Sequence, residues 1–207
     1  MAFSAAYRKI IEDPESLKAA TAGSFAPTDR YDVWEDKRRF IADLITKDGT
    51  ILDIGCANGF FLFSLREWSG RHLEIYGIDV LDEAIREAKL LLPDDRDHFA
   101  VLDARRIKEI AETSLPARYD FVFWNIPTAW NAAEHAHLVR AAAGMAGTRF
   151  IAGCYGTNSY AFDSPEWEHE REGLRRRIQE FEAAGIRFSG VEMNPTKFNQ
   201  IVGWIDA

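Results

Sequence analysis

What this sequence has little of already excludes several kinds of protein. Only two cysteines occur, Cys56 and Cys154. That is too few for a disulfide framework, and neither a Cys-x-x-Cys nor a His-rich spacing is present, so both are expected reduced and no metal site is expected. No run of about 18 apolar residues occurs, so no membrane-spanning helix is expected. The segment Met1 to Asp13 carries Arg8, Lys9, Glu12 and Asp13 and lacks the apolar stretch of a secretory signal, which makes the cytoplasm the expected compartment. Positive charge is the minority sign, with 25 Lys and Arg against 33 Asp and Glu and a net charge of -8. Such a field repels phosphate backbones, so nucleic acid is a disfavoured partner. Neither an internal repeat nor a low-complexity tract is found.

What is present is the material of a real core. Hydrophobic residues make up 47% of 207 positions, a length that fits one domain with a small appended segment rather than two full domains. Strand-like apolar runs fall at Thr50 to Ile54, Leu73 to Val80, His98 to Leu102, Asp120 to Asn125 and Arg149 to Cys154. Helical patterns lie between them at Phe60 to Trp68, Asp82 to Leu92, Arg105 to Thr113 and Ala132 to Met145. This alternation predicts a parallel sheet covered on both faces. A long polar helix, Glu166 to Ala184, is stopped by Gly185, and Ile186 to Met193 and Phe198 to Ile205 flank a turn-prone tetrapeptide, which predicts an antiparallel hairpin. Ahead of the sheet, Ala5 to Ile11 and Val33 to Thr46 read as helices joined by a loop at Thr21 to Thr28. Residues 1–48 are expected to form a helical cap and 49–207 the ligand-binding domain.

The most informative stretch is Ile51-Leu52-Asp53-Ile54-Gly55-Cys56-Ala57-Asn58-Gly59-Phe60-Phe61. An apolar strand runs into two glycines spaced four apart and then into a helix, so the chain turns tightly and lies close to whatever sits above the strand end. A dinucleotide fingerprint needs a third glycine where Phe60 stands, so nicotinamide cofactors fit poorly. The stretch resembles motif I of the class I S-adenosylmethionine-dependent methyltransferases, whose acidic residue and two glycines are filled by Asp53, Gly55 and Gly59. In element order the resemblance spans about residues 40 to 205. It implies a Rossmann-like α/β fold with a mostly parallel seven-stranded sheet, a C-terminal antiparallel hairpin and helices on both faces.

The resemblance also implies S-adenosylmethionine as cofactor and assigns its contacts. Cys56, Ala57 and Asn58 would line the methionine portion together with the two glycines. Asp79, followed by Val80, matches the acidic residue that takes the ribose hydroxyls, and a carboxylate has the two oxygens a vicinal diol needs. Asp103 and Ala104 match the positions that meet the adenine. Each strand-ending Asp can also be read as a helix cap. Phe123-Trp124-Asn125-Ile126-Pro127-Thr128 is similar, in part, to the Asn/Asp-Pro-Pro-aromatic loop of enzymes that methylate amino groups, which makes Asn125 both a cofactor neighbour and a candidate for gripping the acceptor.

Methyl transfer asks mainly for alignment and exclusion of water, with a base for some acceptors only. His135, His137 and Tyr155 or Tyr160 are the candidate bases, with His135 and Tyr155 singled out; two residues apart, His135 and His137 point in different directions, so at most one of them faces the site. Tyr31, Trp34, Trp130 and Tyr160 are candidates to line an acceptor pocket, the alternative being that these aromatics cover the sheet. The basic runs Lys37-Arg38-Arg39 and Arg175-Arg176-Arg177 stand beside acids and read as solvated faces. A small-molecule acceptor is therefore the leading expectation. A methyltransferase acting on amino groups of RNA or protein, or a non-catalytic S-adenosylmethionine-binding domain, are the alternatives.

Overall fold

In the computed structural model, which describes residues 3–23, 27–157 and 160–207, the apolar runs become seven strands of one sheet in the order β3-β2-β1-β4-β5-β7-β6. The middle of the Thr21 to Thr28 loop, residues 24–26, lies outside the described residues. The strands are β1 Gly49–Ile54, β2 Leu73–Asp79, β3 Phe99–Val101, β4 Tyr119–Asn125, β5 Ala146–Tyr155, β6 Gly190–Met193 and β7 Gln200–Asp206. The helices are α1 Ala5–Ile11, α2 Pro14–Thr21, α3 Tyr31–Arg38, α4 Phe60–Ser69, α5 Asp82–Leu91, α6 Ala132–Ala143 and α7 Pro165–Ala183. The mixed, mostly parallel sheet with an antiparallel terminal hairpin is the Rossmann-like α/β arrangement that the resemblance implies. The chain divides into two compact units, 1–117 and 118–207.

In the first unit, β2 pairs in parallel with β1 and with β3, Ile51 lying opposite Ile75 and Ile54 opposite Ile78. Continuous burial of Ile51 to Ile54 is what strands covered on both faces require. Helix α4 turns Leu62, Leu65 and Phe63 inward, and the helices ahead of the sheet pack on it. Tyr7 of α1, fully buried, stacks on Phe60 at 5.8 Å and donates its hydroxyl to Ser64 at 3.0 Å. Burial pushes its phenol far above the usual range, outweighing the Ser64 bond, which acts the other way. Ser64 also accepts from the Trp34 indole at 3.0 Å and donates to the Phe60 carbonyl, so one hydroxyl satisfies two buried aromatic donors. Helix α2, which the apolar pattern does not announce, starts on an Asp13 cap with Pro14 in its first turn, a start signal of its own. The helix expected over Val33 to Thr46 is instead α3 followed by a 3-10 turn, Arg39–Leu44. The one expected from Arg105 is a 3-10 segment, Ala104–Glu112, interrupted at Arg106.

In the second unit, β5 lies between β4, parallel to it, and β7, antiparallel. Helix α7 begins on Ser164, whose side chain accepts from Trp167 N–H. It ends where Gly185 N–H bonds the Glu182 carbonyl and Ile186 N–H the Phe181 carbonyl, the pattern that lets a glycine close a helix. One face of β5 and β7 packs under α7 through Cys154, Ile201, Leu174 and Ile178. Strand β6 is shorter than the expected Ile186 to Met193, beginning only at Gly190.

Candidate active site

The glycine turn is held by its own backbone. Gly55 N–H and Cys56 N–H both donate to the Ile78 carbonyl, at 2.8 and 3.0 Å, and Gly59 N–H closes on the Cys56 carbonyl at 2.9 Å. Gly55 and Gly59 stand at φ 81 and φ 76, the left-handed region where side chains are disfavoured. A Cβ at Gly55 would meet nothing within 4 Å, whereas one at Gly59 would come within 3.0 Å of Leu92. The first glycine therefore faces space free of protein atoms and the second a packed strand–helix junction. Asn58, buried, caps the turn from below: its amide donates to the Ala20 carbonyl at 2.9 Å and its oxygen accepts from Phe60 N–H.

Three carboxylates meet this edge in different states. Asp79 Oδ2 accepts from Ala57 N–H at 3.0 Å and Oδ1 from Leu81 N–H at 2.9 Å. Each oxygen of a carboxylate can accept about two bonds, so one acceptor position stays available on each. Asp79 is thus no simple cap of α5, whose start has no side-chain cap bond. Asp53 is buried, and burial followed by the charge of Asp79 pushes its carboxyl up to about 8. The same surroundings push the Cys56 thiol upward. Asp103 behaves differently from what the resemblance implies: its carboxylate caps the 3-10 segment through Arg105 N–H and holds the Arg105 guanidinium, which keeps its pKa low. Val80 is exposed, and Ala104 opens that segment.

Those features fit S-adenosylmethionine. Protein-free space lies over Gly55, Asp79 keeps acceptor positions for a diol, and the buried acid Asp53 suits a cationic ligand.

In the second unit, β4 delivers Asn125 to the strand edge, in register with Gly153. Its side-chain Oδ1 is buried without a hydrogen-bond partner among the described residues. The absence of a side chain at Gly153 makes room for it, since a Cβ there would stand 3.4 Å from that oxygen. Ile126 N–H bonds the Gly153 carbonyl, and Trp130 N–H closes a turn on Pro127. His135 stacks on Trp130 at 4.4 Å and meets the Asn131 carbonyl through Nδ1 at 2.9 Å; donation there leaves the lone pair on Nε2. His137 instead turns to the Glu134 carbonyl. Tyr155 ends β5, and Tyr160 is exposed.

Two aromatic candidates belong to the packing of the first unit. Trp34 is 1% exposed, bonded to Ser64 and packed on Phe60 and Trp68, so it is a core residue and not an exposed pocket wall. Tyr31 accepts from the Trp68 indole at 2.9 Å and meets Phe3 and Tyr7 edge-on. The basic runs also need correction as solvated faces. Arg38 is 5% exposed and lies over the Trp34 ring. Arg177 reaches from α7 to the Pro127 and Trp130 carbonyls, pinning the loop that follows Asn125, and lies over Phe181. No spacing rule singles Arg177 out within Arg175 to Arg177; only packing does.

Residues 45–143 match the family profile of a methyltransferase domain. No curated protein matches the chain in sequence. Among solved structures, a Pyrococcus horikoshii protein is 15% identical, with a TM-score of 0.62 over 90% of this chain and 94% of that one. Aeropyrum pernix fibrillarin with bound S-adenosyl-L-methionine is 17% identical, with a TM-score of 0.53 over 84% and 76%. Magnesium protoporphyrin IX methyltransferase from Synechocystis, also with bound S-adenosylmethionine, is 16% identical, with a TM-score of 0.51 over 97% and 89%. Identities at this level speak for a shared fold.

Proposed function

We propose that this chain, whose residues 45–143 match a methyltransferase domain, is a class I S-adenosylmethionine-dependent methyltransferase that transfers the methyl group to a small-molecule acceptor. The carrying observation is the disposition of its arginines. Arg39 pairs with Glu35, Arg86 with Asp82, Arg105 with Asp103, Arg106 with Glu109 and Arg175 with Glu172, while Arg38 and Arg177 are committed to packing and loop contacts. A surface that tracks phosphates needs clustered, uncommitted cations. The net charge of -8 works in the same direction. Buried, unpaired Cys56 and Cys154 support a reducing, cytoplasmic setting.

Bound S-adenosylmethionine supplies a methyl group on a positively charged sulfur, already activated for transfer. Asp79 would hold the ribose hydroxyls, the Gly55 to Gly59 turn the methionine portion, and Asp53 a compensating charge. Asp103 would meet the adenine by exchanging its Arg105 contact, with Ala104 beside it. Asn125 would orient the acceptor through its unpartnered oxygen, Trp130 and Tyr160 would flank it, and His135 Nε2 or the Tyr155 hydroxyl would take a proton where the acceptor releases one. Orientation is the main contribution asked of these groups.

The test is S-adenosylhomocysteine formation with panels of small amines, phenols and carboxylates, and with transfer and ribosomal RNA fragments. Turnover is expected with small acceptors alone. Salt-sensitive turnover on RNA without any on small molecules favours the macromolecular reading, and cofactor binding without turnover on either favours a non-catalytic domain. Asp79→Ala is expected to weaken cofactor binding by on the order of 2 to 4 kcal/mol, the loss of two charge-assisted bonds, as read by titration calorimetry. Unchanged affinity in a folded variant removes Asp79 from the site.

A further inference from the structure

We propose that Gln200 determines acceptor specificity, its buried carboxamide binding a neutral group that presents a hydrogen-bond donor and acceptor side by side, such as a carboxamide or a lactam. This rests on the methyltransferase reading above and names the substrate chemistry of the same site.

Gln200 is the first residue of β7 and pairs with Tyr155, the last residue of β5. It therefore stands at the carboxyl edge of the parallel strands, where open α/β sheets take their ligands. Side chains alternate along a strand. Ile201 and Cys154 are register partners and point into the cluster beneath α7. Gln200, Val202, Tyr155, Gly153 and Asn125 consequently share the opposite face. Strands β4 and β7 flank β5, and Asn125 lies in register with Gly153 and Val202, so Gln200, two residues along β7 from Val202, rises from a backbone about 12 Å from that of Asn125, a span that one small molecule bridges.

Gln200 is 1% exposed, and neither its buried Oε1 nor its buried Nε2 has a hydrogen-bond partner among the described residues. Leaving such a group unpaired costs on the order of 1 to 3 kcal/mol, and a methionine of similar shape would avoid that cost. A neighbouring amide shows that the same hairpin can satisfy a buried carboxamide oxygen: Asn194 Oδ1 accepts from Thr196 N–H and Oγ1 at 2.7 Å. The Gln200 main chain is also engaged, its carbonyl accepting from Asn194 N–H at 2.8 Å. Only the side chain is unused, and the unpartnered Oδ1 of Asn125 lies on the same face. A carboxamide pairs with another donor–acceptor edge without net charge. An ionised group brought to so buried a position would lack a countercharge, which selects neutral acceptors.

The experiment compares the full chain with Gln200→Met, each with S-adenosylhomocysteine present. 2-Pyridone and benzamide are titrated as neutral probes, benzoate and benzylamine as charged ones. Gln200→Met is expected to melt above the parent without any probe, to bind S-adenosylhomocysteine unchanged, and to bind the neutral probes at least about tenfold more weakly. Higher melting alone is what a merely structural residue would give; the loss of probe binding is not. Should Gln200→Met fold poorly, Gln200→Asn retains the chemistry and moves it by one methylene, with the same expected loss. Equal probe affinity in parent and variant, tighter binding of charged probes, or no probe binding by a parent that does bind S-adenosylhomocysteine overturns the proposal and leaves the methyltransferase reading standing. A parent that fails to bind S-adenosylhomocysteine overturns both.

Discussion

Asp53 carries a carboxyl that burial and the nearby charge of Asp79 push up to about 8, and this single group gives the protein a pH-dependent stability. Between its ordinary value of 3.8 and about 8 the unfolded chain has released the proton while the folded chain still holds it. The native state therefore binds more protons, and stability falls as pH rises through that window. Thermal melts across it are expected to decline more steeply for the parent than for Asp53→Asn, which has nothing to titrate; parallel curves would remove Asp53 as the source. A cation held over the glycine turn favours the ionised form. S-Adenosylmethionine binding near neutral pH is therefore expected to release a proton, seen as a dependence of the calorimetric enthalpy on the buffer's ionisation enthalpy. The three acidic residues were legible as strand ends. Their states were not, because Asp53 differs from Asp103 by burial in one case and an Arg105 partner in the other.

At the scale of elements, the loop after β4 depends on a helix far along the chain. Arg177 bonds two of its carbonyls, so Arg177→Met is expected to loosen Asn125 to Trp130 while leaving the glycine turn of the first unit untouched. The measurement is a split: turnover falling by about tenfold, the equivalent of roughly 1.4 kcal/mol, with cofactor affinity unchanged. Equal loss in both, or none in either, would show that Arg177 serves stability alone. Strand positions were read well from apolar runs because burial on both faces demands them. Helix boundaries were read less well. Val33 to Thr46 has a continuous helical pattern, yet it breaks into α3 and a tighter 3-10 turn, where Arg38 turns inward over Trp34.

At the scale of the molecule, the helices ahead of the sheet are structural members of their unit rather than a removable cover. Tyr7 and Leu17 are fully buried, Tyr7 packs on Phe60 and Phe63, and the Ala20 carbonyl holds Asn58 in the glycine turn. Deleting residues 1–30 uncovers those rings, each worth about 1.5 to 3 kcal/mol when buried, and removes the anchor of Asn58. The truncated chain is expected to melt well below the parent or to aggregate, as followed by thermal melts and size-exclusion chromatography. A truncated form with the parent's melting temperature would show the segment to be detachable after all.

The sequence by itself determined the architecture and the place of the glycine turn at its strand edge, because both follow from local rules. An apolar strand, a tight turn with glycines at Gly55 and Gly59, and acids at successive strand ends are read in order along the chain, and Gly185 announces the end of α7 as plainly as Asn194-Pro195 announces the final turn. The tertiary structure alone decided which polar groups are spent and which are free. Arg38 passed from a solvated face to the core, Trp34 proved to be packing rather than pocket wall, Arg105 took the carboxylate of Asp103, and Arg177 became the clamp of a loop nearly fifty positions earlier. Gln200 was left with its carboxamide unpaired. Such outcomes depend on partners brought together by the sheet from distant parts of the chain, and no spacing within a single segment encodes them.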